Sequence, residues 1–140
     1  MNISVAQILI IAGASIFGLL GALHLAYTFF GDKLLPRDGA VVDAMKATSL
    51  TLTRQTTMWE AWIGFNASHS LGAILLAAFY ILLAAKHMGI LVQSKELVLL
   101  GVAACVAYLW LAHVYWFRVP FTGIAIATAC FAIAAVLLFV

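Results

Sequence analysis

Hydrophobic residues in this chain come in long runs, separated by one extended polar interval and two brief ones. Four runs, at about 3–30, 58–85, 96–118 and 121–139, are long enough to cross an apolar layer of about 30 Å, which takes roughly 20 helical residues. None alternates every second residue, as the strands of a membrane barrel would. The pattern therefore predicts an all-α fold, a polytopic four-transmembrane-helix bundle, with 1–140 forming a single integral membrane domain.

The extended polar interval joins the first two runs. Pro36-Arg37-Asp38-Gly39 breaks the chain, and beyond it Val41, Val42, Met45 and Leu50 can share a helix face opposite Asp43 and Lys46. That spacing predicts a short amphipathic helix over about 39–50, lying at the membrane interface. A threonine-rich stretch, Thr48 to Thr57, leads back to the second long helix. Thr57-Met58-Trp59-Glu60 matches a T-x-x-E capping box. Competing roles for Glu60 are an ion pair with Arg54 or Arg118, or a ligand role. Its projection nearly opposite His69 around the helix argues against the ligand role. The 86–95 interval reads as a loop. Pro120 suits the first turn of the last helix, where its missing N–H costs nothing, so the last two helices form a tight hairpin around Arg118-Val119-Pro120.

Composition points the same way. The chain is 66% hydrophobic and 9% charged, more apolar surface than a soluble domain of 140 residues hides. The lipid bilayer is thus its first expected partner. A net charge of +2 with no basic run speaks against nucleic-acid binding. The opening MNISVAQILI lacks a basic n-region and continues into a spanning stretch, so it reads as a retained helix, not a secretory signal. Four crossings place both termini and the 86–95 loop on one side. Lys33, Arg37, Lys46, Arg54 and Arg118 lie on the other, against Lys86 and Lys95. The positive-inside rule makes the richer side cytoplasmic and the termini periplasmic, in a bacterial inner membrane. Trp59, Trp62, Tyr115, Trp116, Phe117 and Phe121 form an aromatic band at the cytoplasmic interface. Cys105 and Cys130 read as small buried hydrophobes, not as a disulfide.

Candidate chemistry rests on three histidines inside apolar runs, since ionisable residues there are costly and mark functional sites. At 1.5 Å per residue, His24 lies about 10 Å in from Gly31, His113 about 7.5 Å in from Arg118 and His69 roughly 13 Å in from Glu60. All three fall in one leaflet. His24 shares a face with Gly13, Phe17, Gly21, Tyr27, Thr28 and Gly31, and His69 shares one with Trp62, Asn66 and Ala73. Asn66 is within i,i+3 reach of His69. A second face of that helix carries Gly64, Ser68 and Gly72, a spacing that lets another helix approach closely. His113 sits among Val106, Leu109, Trp110, Trp116 and Phe117, and His87 is interfacial. The candidate binding set is therefore His24, Asn66, His69 and His113, with the three imidazoles as candidate metal ligands. The plainer alternative for each histidine is a hydrogen bond that fastens helices together, worth about 1 kcal/mol. Asn66-Ala67-Ser68 matches a glycosylation sequon, but at membrane depth it carries no sugar.

Trp62-Ile63-Gly64-Phe65-Asn66-Ala67-Ser68-His69-Ser70, with Gly21-Ala22-Leu23-His24-Leu25-Ala26-Tyr27-Thr28 and Tyr115-Trp116-Phe117-Arg118-Val119-Pro120-Phe121, resembles the signature segments of a family of small, uncharacterised bacterial integral membrane proteins. The resemblance covers nearly the whole chain. It implies a four-helix membrane protein and singles out Asn66, Ser68 and His69, but implies no reaction.

Three functions compete. One is a haem or transition-metal site, because neutral imidazoles ligate iron, copper and zinc. No C-x-x-C-H motif accompanies it. The second is a non-catalytic accessory subunit, packed against other membrane subunits or against itself, with the histidines as structural fasteners. The third is a binder, transporter or enzyme for a small lipophilic molecule, with Asn66, Ser68 and His69 lining the pocket. No nucleophile with its base and no pair of carboxylates is visible, and no inverted repeat supports a transporter.

Overall fold

The computed structural model describes residues 2–139. Helices dominate it: α1 (Ile3–Phe29), α2 (Gly39–Ala47), α3 (Met58–Lys86), α4 (Met88–Gln93), α5 (Lys95–Tyr115) and α6 (Arg118–Phe139). Between α2 and α3 stand two short strands, β1 (Ser49–Leu50) and β2 (Thr53–Thr57). Helices α1, α3, α5 and α6 are each long and apolar enough to cross a membrane. The all-α class expected from the hydrophobic runs is therefore observed.

The ends of these elements follow from local chemistry. Helix α1 gives way near Gly31, whose φ of +90° suits glycine and stops a helix there. Asp38 caps α2 by accepting a hydrogen bond from the Ala40 amide at 2.9 Å. Both arms of the box at the start of α3 are made: the Glu60 amide donates to Thr57 Oγ1 at 3.2 Å, and the Thr57 amide donates to Glu60 Oε2 at 2.8 Å. Glu60 is thus a capping residue.

Four boundaries differ from expectation. Helix α2 stops at Ala47, not near 50, because the chain turns extended at Thr48. The threonine-rich stretch is an antiparallel hairpin with Ser49 opposite Thr57 and Leu50 opposite Thr53, as suits β-branched residues in a pleated strand. Within the expected 86–95 loop, α4 forms and buries Leu91. Helix α5 ends at Tyr115 and the chain is extended at Trp116, so α6 takes in Arg118, Val119 and Pro120 as its first turn. Proline tolerates that turn, and the connection moves three residues earlier than the position of Pro120 suggests.

Two compact units divide the chain: 1–20 with 73–140, and 21–72. In the first, burial repeats at helical spacing: Ala6, Ile10, Ala14 and Phe17 on α1; Ala73, Ala77, Tyr80 and Ala84 on α3; Val98, Cys105 and Ala112 on α5; Ile124, Ala127, Phe131, Ala134 and Leu138 on α6. Close approach is set by glycine. A Cβ at Gly101 would lie 2.8 Å from Tyr80 and 2.9 Å from Phe131, and one at Gly13 would lie 3.0 Å from Phe131. Polar ties reinforce the packing: Tyr80 Oη donates to the Leu97 carbonyl at 2.6 Å, and Gln7 Nε2 donates to the Ala84 carbonyl at 2.7 Å. Cys105 and Cys130 are free thiols, Cys105 buried.

The second unit holds the last part of α1, α2, the hairpin and the first part of α3. Its buried side chains, among the described residues, are not apolar. They are Thr28, 8% exposed, and Ser70, 0% exposed.

Candidate functional site

Those two hydroxyls belong to one polar group. Thr28 Oγ1 donates to the His24 carbonyl at 2.8 Å, and Ser70 Oγ donates to the Asn66 carbonyl at 2.8 Å. Both bonds span four residues, so each hydroxyl lies against the backbone of its own helix and needs no partner elsewhere. The backbone that each one touches carries a side chain of the site.

Asn66 is the hinge of the arrangement. Its Nδ2 donates to the Trp62 carbonyl at 2.8 Å, one turn back on α3. That bond assigns the amide orientation, because only the nitrogen can donate to a carbonyl. Oδ1 is then the atom 2.9 Å from His24 Nε2, so Nε2 carries the hydrogen and donates. A neutral His24 therefore has its lone pair on Nδ1. The second ring, His69, stands edge-on to the first, with centroids 5.7 Å apart and planes at 74°. His24, Asn66 and His69 are all half-buried. Two imidazoles and an amide thus sit together on two helices that are long and apolar enough to cross a membrane.

Expectation and structure diverge in three places. Asn66 hydrogen-bonds His24 on α1, a partner that its i,i+3 spacing from His69 does not reveal. Ser68 is exposed and donates to the Phe65 carbonyl at 3.1 Å, so it lies off the group, and Ser70 takes the buried hydroxyl position. His113 is exposed on α5, one residue past buried Ala112, with its ring 5.9 Å from that of Phe121. One residue is a 100° rotation around a helix, which takes His113 off the buried stripe of Val98, Gly101, Cys105 and Ala112.

Among the described residues, no group of three or more His, Cys, Asp or Glu side chains is placed to hold a metal ion. The metal set of His24, His69 and His113 is therefore not formed. His24 Nε2, an atom through which an imidazole would ligate haem iron or a metal, already serves Asn66. Thr28 and Ser70 were legible as i+4 companions of His24 and Asn66, but their burial was not.

The aromatic residues near the polar interval pair with cations. Lys46 Nζ lies 5.4 Å over the Trp59 ring, which stacks on Trp62 at 5.4 Å and 19°. Lys33 Nζ lies 5.6 Å over Tyr27. No family model, no curated protein and no solved structure matches this chain.

Proposed function

We propose that the chain is an integral membrane protein whose four long helices cross the bilayer as a bundle, with α2 at the interface, and that His24, Asn66 and His69 bind a polar group of a small lipophilic molecule. The observation that carries the proposal is the contact of three half-buried polar side chains, one bond of 2.9 Å and one ring pair at 5.7 Å, on helices apolar enough to span a membrane. Ionisable side chains at such depth are expensive and default to function. Imidazole both donates and accepts, so a carbonyl or phenol oxygen on an otherwise hydrocarbon molecule is the matching chemistry. Such a molecule reaches the site through lipid. In this proposal the 32–57 segment faces the cytoplasm and both termini face the periplasm of a bacterial inner membrane, as the Lys and Arg distribution favours.

The test uses protein in lipid nanodiscs and a short-tailed benzoquinone as the carbonyl-bearing probe. Binding raises the unfolding temperature of the unaltered protein and not that of His69→Ala. An equal response, or none, in both proteins removes the ligand role.

A second reading is a non-catalytic accessory subunit in which the polar group only fastens α1 to α3. It draws on Gly64, Ser68 and Gly72, which are exposed on α3, with nothing within 4 Å of a Cβ built at Gly64. Cross-linking from Gly64→Cys to a larger membrane assembly, with no quinone response, would favour it.

A further inference from the structure

None of the nine residues of α2 is buried. A helix of that length is marginal by itself and draws its stability from packing of an apolar face. Its polar side is already engaged, since Lys46 reaches Trp59. On the other side, about 170° away around the helix, Ala40, Val41, Ala44 and Met45 join Thr48 and Met58 to line an open groove of about 420 Å³. Small-molecule sites run from about 300 to 1,000 Å³, so the groove is large enough to hold a chain of several methylenes.

The lining selects the occupant. No charged residue is among it, and its one polar side chain is the Thr48 hydroxyl, so it has nothing to offer a headgroup. Ala40 and Ala44, one turn apart, leave a slot between longer side chains that suits an unbranched hydrocarbon. Met58, which lines the groove, is also the first residue of α3, a helix apolar enough to cross a membrane, and it shares a face with Phe65 seven residues on; the two are 40% and 73% exposed. On the membrane reading above, that face meets acyl chains. We propose that the groove holds one acyl chain of a bilayer phospholipid, which completes the packing of α2. The inference rests on the membrane reading and is independent of the histidine site.

The experiment places the full chain in phosphatidylcholine nanodiscs doped with phosphatidylcholine that carries a diazirine in its acyl chain. Irradiation and peptide mapping then locate the label. Label is expected on residues 40–48 and at Met58, besides the lipid-facing positions of α5 and α6. Ala44→Trp, which fills the slot, lowers the 40–48 label about tenfold, the equivalent of losing roughly two buried methylenes, and leaves the α6 label unchanged. Ala44→Asp, an exposed change that puts charge into the groove, gives the same loss if the bulkier variant disturbs α2. Label on α5 and α6 with none on 40–48 overturns the groove proposal alone, as does a 40–48 label indifferent to both substitutions. Absence of label from all the long helices overturns the membrane reading, and the groove proposal with it.

Discussion

Asn66 has both ends of its amide engaged, with the Trp62 carbonyl on its own helix and with His24 on α1. A side chain held at one end is pre-oriented for the other, so the His24 bond loses less rotamer entropy than two free side chains would. The pair should therefore show coupling. In a double-mutant cycle with His24→Ala and Asn66→Ala, unfolding in detergent should give an interaction energy of about 0.5–1.5 kcal/mol. His113→Ala, on an exposed face, should couple to neither and cost within about 0.5 kcal/mol. A coupling energy of zero for His24 and Asn66 would mean that the bond contributes nothing to the fold. Gly101 is a second residue with a sharp expectation. Its missing Cβ makes room for two aromatic rings that cannot fold aside, so Gly101→Ala should destabilise by about 1–3 kcal/mol. Tyr80→Phe keeps the ring and deletes only the bond to the Leu97 carbonyl, and should cost about 1 kcal/mol. Thermal unfolding of the two variants side by side would separate overpacking from hydrogen bonding.

Helix α3 begins at a point set by four residues. Because Thr57 and Glu60 satisfy each other's amides, Thr57→Ala should lower stability by about 1 kcal/mol, whereas Glu60→Gln, which retains an acceptor, should cost less. Equal losses in a denaturant titration would argue against the reciprocal box. The start of α6 shows a different balance. Pro120 marks the neighbourhood of the turn, but proline is tolerated throughout the first helical turn, so it does not say which residue is first. The extended backbone at Trp116 decides that. Helix α2 and the hairpin after it were unequal in legibility for a related reason. The α2 pattern of apolar and charged positions has helical period, while the register of β1 against β2 depends on a pairing between separate strands.

For the molecule as a whole, the four crossings proposed above require an alternating topology, which is measurable. In a background lacking Cys105 and Cys130, cysteine placed at Thr51 in the hairpin and at Gly89 in α4 should react with a membrane-impermeant maleimide from opposite sides of sealed vesicles. Thr51→Cys should label from the cytoplasmic side. Labelling of both from the same side would refute four crossings, since an odd number of crossings must separate the two positions. Burial is also unevenly distributed. The buried apolar side chains fall in the unit made by 1–20 and 73–140, while the buried side chains of 21–72 are hydroxyls bonded to the backbone of His24 and Asn66. Hydrocarbon packing and the candidate site thus occupy different stretches of the same long helices.

Run length and composition settled the number, type and approximate extent of the long helices, because helix formation in an apolar chain is a local matter of hydrogen bonding and side-chain character. The capping box and the small amphipathic helix were readable for the same reason: their partners lie within a few residues. Which neighbour a side chain meets is a question of rotation around a helix and of the elements packed against it, and only the folded chain answers it. So Asn66 finds His24, forty-two residues away in sequence, while His113 turns outward at a depth that looked equivalent from the sequence. Depth scales with residue number, but facing changes by 100° with every residue, and a position one step off the stripe is on another side of the molecule.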